Sequence, residues 1–348
     1  MIYKNVNINC ISYEIPPVKV TSDEIEEQLA PLYKRLKLPF GRLQLMSGIK
    51  ERYFWQKGFR PSEGAAAAAE TALQKSGIDK NSIGCLIMCS VCRDFLEPAT
   101  ATVVHNYLGL NKNTIVFDIS NACLGILTGI INAANMIELG QIESALLVAG
   151  ENSRPLVEST IKLLLNDHSL TRKTIKPYFA SLTIGSGAVA VVMSSKSTGL
   201  PGHSLFAASS MAVTEYNDLC RGNSDKGIGD GYDIMMMTDS ENLMHYGVQT
   251  AAENWEKFKK LTGWSNSTPD CFCTHQVGSA HKKLLFNSLG LDLNKDFAIL
   301  ENYGNSGSVS CPMTAACAEE SGVLKKGCKL AMLGIGSGIN CTILGVEW

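Results

Sequence analysis

Two stretches of this chain follow the same order of elements, and that repetition restricts the possible folds more than any single motif does. In the first half, the apolar strand at 85–89 leads to a helix ending near Leu108. The strand at 115–119 then runs into a long helix from about Cys123, and a third strand follows at 145–149. In the second half, a strand at 271–274 leads to a helix over 280–289 and a strand at 297–300. After a turn at Gly304 and Asn305 come a helix over 309–321 and a strand at 330–333. The spacings agree as well as the order. Ile87 to Cys123 is 36 positions and Phe272 to Asn305 is 33, while Cys123 to Leu146 is 23 and Asn305 to Leu330 is 25. Short continuous apolar strands alternating with helices predict sheets covered on both faces, the way mostly parallel sheets are buried. The reading is an α/β chain of two duplicated halves packed as a pseudo-dimer, residues 1–200 and 201–348, divided near the turn-forming cluster at 194–202.

Charge and composition exclude several classes of function. Lys and Arg total 31 against 33 Asp and Glu, with no run of like charge, so nucleic acid is not an expected partner. The first nine residues alternate like a strand and lack the regions of a signal peptide, which predicts a cytoplasmic protein. No apolar stretch approaches the roughly 18 residues of a membrane span. The 12 cysteines read as mostly core residues rather than a disulfide framework. Cys89 and Cys92 have half-zinc spacing, but Cys271 and Cys273 are wrongly spaced to complete four ligands, so no metal is expected. The alanine run at 63–70 predicts a tightly packed helix. Segments 151–182 and 211–240 fit neither repeat and are expected to line a substrate site.

Cys123 sits where a strand turns into a helix, so exposed N–H groups and the positive end of the dipole should favour its thiolate. Taken singly, Cys123 reads as one more buried cysteine, His275 as structural and Asn305 as a turn residue. Together they place a thiol, an imidazole and a carboxamide at the ends of equivalent strands. The thiol can attack one acyl group while neutral donors stabilise the enolate or oxyanion of another.

With these residues in view, the chain resembles the ketoacyl synthase III branch of the thiolase superfamily along its whole length. The resemblance implies a layered αβαβα thiolase fold and a catalytic set of Cys123, His275 and Asn305. Within the branch, residues 90–98, 216–223 and 333–341 resemble the head-to-head acyl-CoA condensing enzymes of bacterial olefin biosynthesis. That likeness implies a homodimer in which Glu97 reaches the partner's site as base for the second acyl chain. Read by itself, Glu97 is equally a carboxylate at the start of a helix. Where a typical ketoacyl synthase III has His-Gln-Ala-Asn, this chain has His275-Gln276-Val277-Gly278, a departure that weakens any expectation of malonyl specificity. The backbone N–H groups of Cys123 and Ser337 are the implied oxyanion hole. Arg52, Arg93, Arg154 and Arg221 could contact phosphate or simply pair with acids, and none is assigned to a site. The expected activity is condensation of two acyl-CoAs through an acyl-cysteine, with coenzyme A entering only as part of the substrate and no separate cofactor. The alternatives are an initiating synthase using malonyl-acyl carrier protein, a hydrolase, and a partner subunit without turnover.

Overall fold

The computed structural model describes residues 1–222 and 235–348. Ten strands form one sheet: β1 (Val6–Glu14), β2 (Cys85–Met88), β3 (Ile115–Asp118), β4 (Ser144–Glu151), β5 (Gly187–Ser195), β6 (His203–Ala212), β7 (Cys271–Thr274), β8 (Asp296–Phe297), β9 (Lys329–Gly336) and β10 (Asn340–Glu347). Their order is β3-β2-β4-β5-β1 in one half and β6-β10-β9-β7-β8 in the other. Read outward from the centre, each strand of the second half is its first-half counterpart plus five, which is the duplication in its structural form. The halves meet where β1 pairs antiparallel with β6, Asn7 opposite Ser204 and Ile8 opposite His203.

The expected mostly parallel arrangement does not hold. Four strand pairings are parallel, namely β2 with β3, β2 with β4, β7 with β8 and β7 with β9, and the other five are antiparallel. The reason is local. β9 and β10 are joined by a tight turn, which permits only an antiparallel pair. β4 and β5 are likewise joined without a helix laid over the sheet, because the intervening chain packs elsewhere.

Both faces are nevertheless covered, and the strand period of two sorts the side chains. Cys85, Ile87 and Cys89 point to the middle of the molecule and Leu86 and Met88 to the outside. Helices α1 (Pro61–Ser76) and α2 (Thr100–Leu108) cover the outer face of the first half-sheet. Between the half-sheets lie α3 (Gly125–Glu138) and, from the second half, a helix over Ser310–Glu320. Helices α4 (Ser240–Thr262) and α5 (Ser279–Leu289) cover the other outer face, so Ser310–Glu320 becomes α6 and the layers read αβαβα. The alanine run is the buried face of α1: Ala65, Ala66, Ala68, Ala69 and Ala72 are fully buried. Gly150 lies so close to the Pro61 carbonyl that a Cβ there would overlap it. Larger side chains on that face would force the layers apart, at roughly 1–3 kcal/mol each.

A separate apolar cluster sits over one end of the sheet. It joins the short helices Ser22–Gln28, Ala30–Leu36 and Arg42–Ser47 to the helix Arg154–Asn166 and the turn Lys176–Thr183. Segment 151–182 therefore contributes to a cap together with residues near the N-terminus that the repeat gave no reason to single out. In segment 211–240, Cys220–Gly222 pairs with Met236–Thr238; Asn223, at the end of one family-like motif, lies outside the described residues. The strand expected at 297–300 is shorter, because the N–H groups of Ile299 and Leu300 donate to the Gln276 side chain and a helix, Leu300–Tyr303, begins there. All 12 cysteines are free; six are buried, and the half-buried Cys10, Cys317 and Cys328 pack against the core, so most are core residues as expected. Among the described residues, no helix is long and apolar enough to cross a membrane.

Candidate active site

Cys123 lies in a single 3-10 turn, Ala122–Leu124, between β3 and α3. The residue before it, Ala122, has a φ of +45°, a left-handed conformation that costs a non-glycine residue roughly 1–2 kcal/mol. Side chains hold this strained turn from both sides. The Asn121 amide donates to the Thr128 hydroxyl at 2.8 Å and accepts from the Asn340 amide at 3.0 Å. Gly125 is required, because a Cβ there would overlap the Cys89 carbonyl; its absence lets α3 start against the end of β2.

The electrostatics of the thiol correct the sequence expectation. Burial, followed by the charges of Glu151 and Cys220, pushes Cys123 up to about 12, and its own N–H opposes them only in part. The helix N-terminus does not yield a resting thiolate, because removing a thiolate from water costs more than the dipole returns.

His275 follows β7, and its N–H donates to the Leu333 carbonyl on β9 at 2.9 Å. The ring is buried, and among the described residues neither of its nitrogens has a hydrogen-bond partner. Burial and the neighbouring His281 lower its pKa to about 3, so near neutrality the ring is uncharged, with one N–H to donate. Gln276 anchors this loop. Its amide donates to the Phe297 carbonyl at 2.9 Å and accepts from Ile299 and Leu300 N–H at 3.0 and 2.9 Å.

Asn305 is clamped to the cap. Its N–H donates to Thr183 at 3.0 Å, and its carbonyl accepts from Gly185 at 2.9 Å. The side-chain oxygen accepts from Gly307 N–H at 3.1 Å, and among the described residues the NH₂ has no partner. The Cys123 turn packs against Gly307–Val309, the turn that follows Asn305, and against β9, the strand whose Leu333 carbonyl takes the His275 N–H. Ser337 lies in the β9–β10 turn. A Cβ built at its neighbour Gly336 would lie 3.7 Å from the Cys123 nitrogen, so the two backbones run side by side.

Glu97 stands apart. It is exposed and makes no hydrogen bond or salt bridge among the described residues of its own chain. Its loop is pinned at one end by Asp94, which accepts from Ser62 N–H at 3.0 Å and Ser62 hydroxyl at 2.6 Å. At the other end Asp118 accepts from Thr100 and Ala101 N–H, both at 2.8 Å.

Family models match in two places: the thiolase N-terminal domain over residues 51–176 and the C-terminal region of 3-oxoacyl-[acyl-carrier-protein] synthase III over 260–348. An acyl-CoA:acyl-CoA alkyltransferase of Shewanella oneidensis is 40% identical, covering all of both chains. A Xanthomonas campestris alkyltransferase is 36% identical with the same full coverage. The chain belongs to the acyl-CoA:acyl-CoA alkyltransferase, or OleA, family. Crystal structures of Xanthomonas campestris OleA agree closely. A cysteine-to-alanine variant matches with a TM-score of 0.94 at 35% identity, and a cerulenin-bound form with 0.94 at 36%, each covering 100% of this chain and 98% of the other. OleA membership makes this chain an acyltransferase of the condensing type on the thiolase fold.

Two residues of this OleA-family site escaped the sequence reading. Gln276 was seen only as a neighbour of His275, and its three backbone contacts depend on the fold. Glu151 is 4% exposed at the end of β4, where it accepts from Val91 and Cys92 N–H at 3.0 and 3.1 Å and from the Ser308 hydroxyl at 2.6 Å. Its signal was present as a carboxylate closing an otherwise uncharged strand. Two of the unassigned arginines are structural: buried Arg52 donates to Ser22 and Leu182, and Arg154 to Trp55. Arg93 and Arg221 are exposed.

Proposed function

We propose that the protein joins two acyl-CoA thioesters head to head through an acyl-Cys123 intermediate. The observation that carries this reading is a buried, uncharged His275 with unpartnered ring nitrogens, tied by its N–H to β9, the strand on which the Cys123 turn packs. Such a ring suits a neutral donor to an enolate oxygen better than it suits a charged base. In the first step the Cys123 sulfur bonds to the acyl carbon, the thioester C–S bond breaks, and the thiol proton leaves with coenzyme A. Backbone N–H groups of Cys123 and Ser337 stabilise the oxyanion. In the second step Glu97 takes the α-proton of another acyl-CoA while His275 and Asn305 hold its enolate oxygen. The α-carbon attacks acyl-Cys123, the thiolate departs, and the proton passes from Glu97 to that sulfur, leaving a β-ketoacyl-CoA. These steps need no separate cofactor, because coenzyme A arrives with the substrate. The free thiols suit the cytoplasm.

Glu97 acts here from a partner subunit. In support, Val91, Phe95 and Leu96 of its loop and Ile115 of edge strand β3 are exposed apolar residues beside it. Such a surface, with an open strand edge, is what a two-fold interface covers. The deciding experiment is Glu97→Gln with a long acyl-CoA as sole substrate. Wild type is expected to give a β-keto product, and the variant to acylate Cys123 while condensation nearly stops. A wild type that yields product only when malonyl-acyl carrier protein is added would transfer the assignment to an initiating synthase.

A further inference from the structure

We propose that Glu151 is a positioning residue of this site: one buried carboxylate ties the loop that leads to Glu97 to the turn that follows Asn305. The inference rests on the condensation reading above for what is positioned, and on geometry for how. Glu151 forms no salt bridge among the described residues, yet its carboxylate is held by three donors from two separate segments. Val91 and Cys92 begin the exposed loop that carries Glu97. Ser308 lies in the 3-10 turn that follows Asn305 and packs against the Ala122–Leu124 turn. Gly307, with a φ of +57°, presents its backbone to the carboxylate; a Cβ there would lie 3.3 Å from a carboxylate oxygen. The Trp55 indole N–H donates to the Glu151 carbonyl at 3.1 Å, which fixes the strand end from the other side.

Burial raises the pKa of Glu151, and the hydroxyl and backbone donors around its carboxylate offset that only in part. The titratable groups facing the pair are Cys92, beside the carboxylate, and Cys220, beside the thiol. Charge on Glu151 adds to the burial that already raises the Cys123 pKa. This shared anchor makes displacement of the Glu97 loop and of the Asn305 turn of one subunit mutually dependent, so the carboxylate a subunit sends to its partner's site moves with the amide donor of its own.

The test uses the full-length protein and two variants, Glu151→Gln and Glu151→Asp. The pH dependence of Cys123 alkylation by iodoacetamide is read by mass spectrometry, alongside coenzyme A burst and β-keto product from acyl-CoA. With the charge removed, the alkylation midpoint of Glu151→Gln should fall by about one pH unit, and product should fall at least 10-fold while the burst persists. Glu151→Asp keeps the charge on a shorter arm, so its midpoint should match wild type while product falls. An unmoved midpoint in Glu151→Gln, or wild-type condensation in Glu151→Asp, overturns the proposal. Should Glu151→Gln not fold, the product yield of Glu151→Asp decides alone. A wild type with no product from acyl-CoA would sink the condensation reading and leave the alkylation result standing.

Discussion

Replacing Gln276 with methionine keeps the side chain's length and removes all three of its hydrogen bonds. Two of the groups left behind, the N–H of Ile299 and of Leu300, had the buried Gln276 oxygen as acceptor, and the Phe297 carbonyl loses its donor. An unsatisfied buried backbone group costs about 1–3 kcal/mol, so the two N–H groups alone should cost about 2–6 kcal/mol, a large share of the ~5–15 kcal/mol available to a folded domain. The effect is not only on stability. Ile299 and Leu300 open the four-residue helix that ends at Gly304, and Asn305 follows directly. Release of that segment should loosen the carboxamide while leaving the Cys123 turn in place. Urea unfolding would report the first effect. Comparison of the coenzyme A burst with β-keto product would report the second, the burst persisting and product falling more than 10-fold. A variant that loses less than about 1 kcal/mol and condenses normally would refute the view that Gln276 couples the His275 and Asn305 loops.

Cys123→Ser should show no acyl adduct by mass spectrometry after incubation with acyl-CoA, and an adduct on another residue would reassign the nucleophile. His275→Ala and Asn305→Ala should each slow condensation by roughly 100-fold while the coenzyme A burst remains, as expected for loss of one donor to an oxyanion. Stability should also depend on pH through His275, whose folded pKa of about 3 lies below its ordinary 6.5. The unfolded chain takes up that proton first, so the stabilisation is complete above about pH 6.5 and is lost as pH falls towards 3. Its full size is on the order of 5 kcal/mol. Urea midpoints between pH 4 and 7 should therefore slope more gently in His275→Ala, and an unchanged slope would refute this origin.

The order of elements along the chain, and the equivalence of the turns that carry Cys123 and Asn305, were legible because both follow from the chain's repetition, which survives in spacing alone. Strand direction was not, since β10 is antiparallel on account of a three-residue turn that apolar patterning does not encode. The ionisation of Cys123 was misjudged for a related reason. Its helix N-terminus is a local feature visible in sequence, whereas the burial that chiefly raises its pKa, and then Glu151 and Cys220 from 28 and 97 positions away, come only with the fold. Glu151 itself was hidden by its position between the two repeats' motifs, and its partners at 91, 92 and 308 meet only once the halves are packed.

The middle layer has a further consequence. The cluster that encloses α3 and α6 draws residues from strands of both halves, Ile87 and Leu147 from one and Cys273 and Met332 from the other. Cut between β5 and β6, each fragment would carry one inner helix with an apolar flank meant for its twin. Neither piece should be soluble when expressed alone, whereas both expressed together should find each other. What began as two copies has become a single inheritance, in which a change on one central helix is answered by the other and neither half can drift on its own.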